Sequence, residues 1–127
     1  MNKKADNVIR IPTSFESGFF KYWLEFLRPF HKLTDREMDV LASLIKHRCL
    51  LSRVIKDDNV LDKVALSDDI KKKVREDCNI KFSHFQVIMS KLRRSGIINK
   101  DKINPKFIPN IKEENGIFQL LIFFELK

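Results

Sequence analysis

Residues Ser83 to Ile98 read SHFQVIMSKLRRSGII, and this stretch sets the fold class. Ser83 followed three residues later by Gln86 has the form of a capping box, which predicts a helix start at Ser83. Phe85, Ile88, Met89 and Leu92 then recur at the spacing of one helix face. The opposite face carries Ser83, Val87, Ser90, Lys91 and Arg94. Gly96 suits the left-handed position just beyond a helix end, so the helix is expected over Ser83–Ser95, with Ile97 and Ile98 returning to buried, extended chain.

Upstream, Asn79 can cap a helix that starts at Ser67-Asp68-Asp69, runs through Lys71-Lys72-Lys73 and ends near Cys78. Ile80-Lys81-Phe82 is then a tight turn between two helices. Thr34 and Glu37 form a second capping box, with Asp35 favourably placed in the first turn. From it, Met38, Leu41, Leu44, Ile45 and Cys49 predict a core-facing stripe to about Leu51. Residues 52–66 read as a long connection anchored by Val60, Leu61, Val64 and Leu66. Ser14 to Arg28 reads as an aromatic helix closed by Pro29. Only Lys21, Glu25 and Arg28 make a polar stripe on it, so the rest of the chain or a partner must cover it. Val8-Ile9-Arg10-Ile11 could form a short edge strand, ended by Pro12.

Downstream of Gly96 the pattern turns to strands. Lys106–Lys112 is one run, with Pro109 placing it at an edge. Glu113-Glu114-Asn115-Gly116 has the favoured Asn-Gly hairpin pair. Ile117 to Leu126 is the last strand, with Phe118, Leu120, Ile122, Phe124 and Leu126 on one wholly apolar face. The chain is therefore expected to be α+β, mainly α.

Charge and composition narrow the function. The net charge is +8 over 127 residues, with 43% apolar and 33% charged residues. Residues 67–100 hold nine basic and four acidic residues, the largest share of the excess. A localised basic patch is the footprint of phosphate binding, although a solvated lysine-rich face has the same composition. A helix with small polar and basic residues outward can lie in a DNA major groove. With three glycines, neither a P-loop nor a dinucleotide fingerprint is present. His31, His47 and His84 are scattered, and His47 and Cys49 point in different directions on a helix, so neither a zinc site nor Cys-His catalysis is expected. Asp57-Asp58 and Asp68-Asp69 read as loop and helix-start acids. A non-enzymatic role without cofactor or metal is the expectation. Cys49 and Cys78 suggest no disulfide framework, no secretory signal is visible, and no apolar run reaches the ~18 residues of a membrane span. A cytoplasmic address is the default.

A capped helix, a connection, a short helix, a tight turn, a basic helix ending in Gly and then a hairpin resembles the winged helix-turn-helix family over roughly residues 34–126. FSHFQVIMSKLRRSGII is similar to that family's recognition helix and its exit, and LTDREMDVLASL to its opening helix. The resemblance implies a domain at 34–127, with 1–33 as a tail, short strand and aromatic helix packed on the core or a partner. It implies that Ser83, His84, Gln86, Val87, Ser90, Lys91 and Arg94 face double-stranded DNA. Lys71, Lys72, Lys73 and Arg93 become candidates for phosphate contacts. Such a protein would be a transcriptional regulator or a replication or architectural factor, acting as a homodimer or larger assembly through the aromatic helix. The alternative is a structural or assembly subunit, for example of a phage particle or replication complex. The apolar excess of Ser14–Leu27 and the acidic tip of the expected hairpin favour that second reading.

Overall fold

The computed structural model describes residues 7–14, 18–111 and 116–127. Among them are six helices and one two-stranded antiparallel sheet: α1 Phe19–Phe26, α2 Arg28–His31, α3 Asp35–Leu51, α4 Asp58–Ala65, α5 Asp68–Cys78, α6 Phe82–Arg94, β1 Ile98–Asn99 and β2 Lys102–Ile103. The chain is mainly helical, as its periodicity requires.

α3 is the axis of the fold, and α1, α4, α5 and α6 all pack on it. It begins as its sequence dictates: Thr34 accepts from the Glu37 N–H while the Glu37 carboxylate accepts from the Thr34 N–H at 2.9 Å, a complete capping box. Met38, Val40, Leu41, Leu44 and Ile45 are fully buried, and Ala42 and Ser43 nearly so. A helix buried on most sides over its first half must lie at the centre. Phe20, Trp23 and Leu24 of α1, Ile70 and Val74 of α5, and Phe85, Ile88, Met89 and Leu92 of α6 complete one hydrophobic cluster with it. The aromatic helix therefore spends its central face on its own chain.

Polar contacts hold the helices in place. Trp23 Nε1 donates to the Phe107 carbonyl at 2.8 Å, tying α1 to the chain beyond the sheet. Lys21 pairs with Asp39 at 2.9 Å, and Arg28 bridges Glu25 and Asp35. Arg36 donates to the Cys78 carbonyl at 2.7 Å, closing the exposed C-terminal end of α5. A cation there also meets the negative end of the helix dipole.

Six expectations are corrected. The first helix breaks at Leu27 and restarts at Arg28, with Pro29 in the first turn of α2, where its missing N–H costs nothing; residues 15–17 of its expected start lie outside the described residues. The 52–66 connection contains α4, capped by Asp57, whose carboxylate accepts from the Asn59 and Val60 N–H groups. Leu61 and Ala65 are buried, and α4 packs on α3 and β2. The Ser83–Gln86 capping box does not form: α6 starts one residue earlier with Lys81 at the cap position, so Ser83 is already inside the first turn. The hairpin lies at 98–103, pairing Ile98 with Ile103 and Asn99 with Lys102 across Lys100-Asp101. Both turn residues have positive φ (51° and 61°), as a tight two-residue hairpin turn requires. Residues 106–111 and 117–126 form no strand, and Pro105–Phe107 is instead a 3₁₀ turn; the expected turn residues Glu113, Glu114 and Asn115 lie outside the described residues. Val8–Ile11 is likewise exposed and unpaired among the described residues.

Other expectations hold. Ser67 caps α5 by accepting from the Ile70 N–H, and Asn79 closes that helix in the left-handed region. Gly96, at φ 79°, ends α6, and Ile97 and Ile98 are buried.

Candidate nucleic-acid interface

α6 is placed by four apolar side chains. Phe85, Ile88, Met89 and Leu92 anchor one face in the core, which forces the opposite face into solvent. Ser83, Val87, Ser90 and Arg94, spaced i, i+4, i+7 and i+11, run along its middle, and all are exposed. Gln86 and Arg93 are exposed on one flank and His84 on the other. The helix contains no acidic residue. Its first turn has neither a side-chain cap nor an acid, so its leading N–H groups remain open to an anion.

Arg93 and Arg94 have no ion-pair partner among the described residues, and their charge is free to meet an external one. Lys91 differs. Its Nζ lies 2.9 Å from Glu37 Oε1 on α3, and it is half-buried on the His84 flank rather than on the solvent-facing crest. Burial pushes the Glu37 carboxyl up, but hydrogen bonds from the Thr34 N–H and from Lys91, with the lysine's charge, outweigh it and hold it below the usual range. Lys91 is thus neutralised within the fold.

Lys72 and Lys73 are exposed on α5 and Lys71 is half-buried; none has a hydrogen bond or ion pair to α6 among the described residues. On the same helix Asp68 and Asp69 occupy the first turn and Glu76 and Asp77 the end, so α5 carries as many acids as bases. The basic character of the 67–100 segment therefore concentrates on α6 and its approaches.

Two contributors escaped the sequence reading. Arg75 lies 4.9 Å from the centre of the Phe82 ring and 5.9 Å from that of Phe85, stacking across the turn between α5 and α6. Lys81 stands exposed at the α6 start. The spacing Arg75 to Phe82 is the only sequence signal for the first, and it needs the turn geometry to become a contact. Phe82 and Val87 leave exposed apolar surface among the polar residues.

His47, Asp77 and Ser43 come together but do not form nucleophilic machinery. Ser43 Oγ donates to Asp77 Oδ2 at 2.9 Å, and His47 Nε2 lies 2.8 Å from the same oxygen. With the carboxylate between serine and histidine, the imidazole cannot take the serine proton. The arrangement is a latch between α3 and α5. Burial raises the Asp77 carboxyl, and the His47 and Ser43 hydrogen bonds more than offset it, leaving it below its ordinary value. Burial pushes the Cys78 thiol up to about 11, which makes it a poor nucleophile. Among the described residues, no group of three or more His, Cys, Asp or Glu side chains could hold a metal ion, and no helix is long and apolar enough to cross a membrane. Comparison with protein-family models, with curated proteins and with solved structures finds no match to this chain.

Proposed function

We propose that this protein binds double-stranded DNA without catalysing a reaction, with α6 in the major groove in the manner of winged helix-turn-helix proteins. The observation that carries the reading is the exposed crest of α6: small polar side chains, two arginines with no ion-pair partner among the described residues, no acid and an open helix start. The order α3, α5, three-residue turn, α6, short hairpin supports the family reading, with α4 inserted between the first two helices. Arg93, Arg94 and Lys81 would contact phosphates and hold the register. Ser83, His84, Gln86 and Ser90 would meet base edges, and Val87 a thymine methyl. Lys71, Lys72 and Lys73 are secondary phosphate candidates. A regulatory, replication or architectural role follows equally from such binding.

Fluorescence anisotropy on a labelled random duplex across a salt series tests this. Binding should weaken steeply with salt, and Arg93→Ala with Arg94→Ala should reduce the logarithmic slope by roughly 0.9 per lost phosphate contact. An unchanged slope and affinity in the double variant, or no binding at low salt, would remove the DNA reading. The exposed apolar chain at 117–126 favours the second reading, an assembly subunit that binds proteins.

A further inference from the structure

The C-terminal segment starts on the body of the protein and then leaves it. Phe118 packs edge-on against Phe19 at 5.1 Å and Trp23 at 5.6 Å between ring centres. Beyond it, Leu121 is 71%, Phe123 80%, Phe124 85% and Leu126 93% exposed. No backbone group of 117–126 hydrogen-bonds to the described residues. Ten consecutive residues with this composition, apolar on one whole face and half apolar on the other, match a strand covered by a neighbour. This chain cannot supply that neighbour from its described sheet, whose strands are two residues long.

We propose that residues 118–126 pair antiparallel with the same residues of a second copy of this chain, about a two-fold axis through Ile122. This register sets Phe118 opposite Leu126, Gln119 opposite Glu125, Leu120 opposite Phe124 and Leu121 opposite Phe123. The polar residues of the strand meet only each other, and like charges never face one another. An isologous pair of this kind closes on itself.

The α1 helix supplies the floor that a two-stranded ribbon needs to be stable in water. Phe19, Tyr22, Trp23 and Phe26 lie at i, i+3, i+4 and i+7 on one face. Trp23 is buried while Tyr22 and Phe26 are nearly half exposed. Opposite residues in an antiparallel pair project to the same side. With Phe118 fixed on Phe19 and Trp23, the partner copy's strand end is delivered beside it, over the uncovered part of that aromatic face. Covering the apolar face of the ribbon and these aromatics removes on the order of 800 Å² per copy, the half-interface of a stable complex.

Light scattering on the full chain, up to high micromolar concentration, reads the mass directly. The proposal expects twice the 15.1 kDa chain mass. With Ile122 in a non-hydrogen-bonded pair, the Leu121 N–H bonds to Phe123 of the second copy; Leu121→Pro deletes that bond and should give the monomer mass with unchanged far-ultraviolet helix signal. Register is read by oxidation. Ile122→Cys faces its own copy at about 5 Å between Cα atoms and should cross-link. The two copies of Gln119→Cys are about 20 Å apart along the ribbon and should not exceed the parent's background. A monomeric parent, a dimer unaffected by Leu121→Pro, open-ended larger species, or cross-linking at 119 as ready as at 122 would each overturn the proposal. A monomeric parent that captures an unrelated sheet protein or lipid vesicles through this segment would overturn it too.

Discussion

Glu37 serves two structures at once, and substituting it separates them. Its carboxylate accepts the Thr34 N–H at 2.9 Å, completing the cap of α3, and takes Lys91 of α6 at 2.9 Å. Glu37→Gln keeps a side chain that can complete the capping box but removes the charge. The pair joins a mostly covered carboxylate to an ammonium that is 38% exposed, so after solvent screening its loss costs only about 0.5 kcal/mol. Glu37→Ala also frees the Thr34 N–H, adding about 1 kcal/mol. For a chain of this length 1 kcal/mol moves Tm by about 4 °C. Thermal melts should therefore fall by about 2 °C for Gln and about 6 °C for Ala. A cycle with Lys91→Met should return about 0.5 kcal/mol of coupling. On the proposed DNA reading, Glu37→Gln has an opposite second effect: it frees Lys91, so duplex affinity at low salt should rise while stability falls. Equal losses for Gln and Ala, or no coupling to Lys91, would refute this account of the clasp.

Two further predictions concern the acid dependence of the fold and the contact of α1 with the chain beyond the sheet. Glu37 and Asp77 are both held below their ordinary pKa values; for a lowered carboxylate the stabilisation is complete above the unfolded value and disappears as pH falls through the folded one. Tm should thus drop as pH goes below about 5, and Glu37→Gln with Asp77→Asn should flatten that drop, whereas an unaltered acid profile would count against both contacts. Trp23→Phe leaves the buried Phe107 carbonyl without its 2.8 Å donor and should cost about 1–3 kcal/mol in a denaturant titration followed by circular dichroism; a change below ~0.5 kcal/mol would mean water replaces the indole there.

Where interactions are local, the sequence reading and the structure agree. The Thr34–Glu37 box, the Ser67 cap, the left-handed Asn79 and Gly96 and the apolar stripes of α3 and α6 are all written in residues three or four apart. The exposed candidates Ser83, His84, Gln86, Val87, Ser90, Arg93 and Arg94 were legible for the same reason: the stripe of a helix names its opposite face. The Ser83 box misled because Lys81, which has no capping side chain, takes the cap position when Phe82 joins the helix and stacks under Arg75.

The amino-acid sequence by itself determined a mainly helical chain, two capped helices and a basic helix with one free face. Caps and stripes act within a single turn, so no distant residue is needed to specify them. Only the tertiary structure decided that α4 forms within 52–66, since eight residues are too few to hold a helix without α3 and β2 to pack on. It placed the hairpin at Lys100-Asp101, a turn without glycine whose left-handed residues are held by the buried Ile98–Ile103 pair beside it. It also turned Lys91 inward, because Glu37, 54 positions earlier in the chain, becomes its neighbour only when α3 and α6 meet.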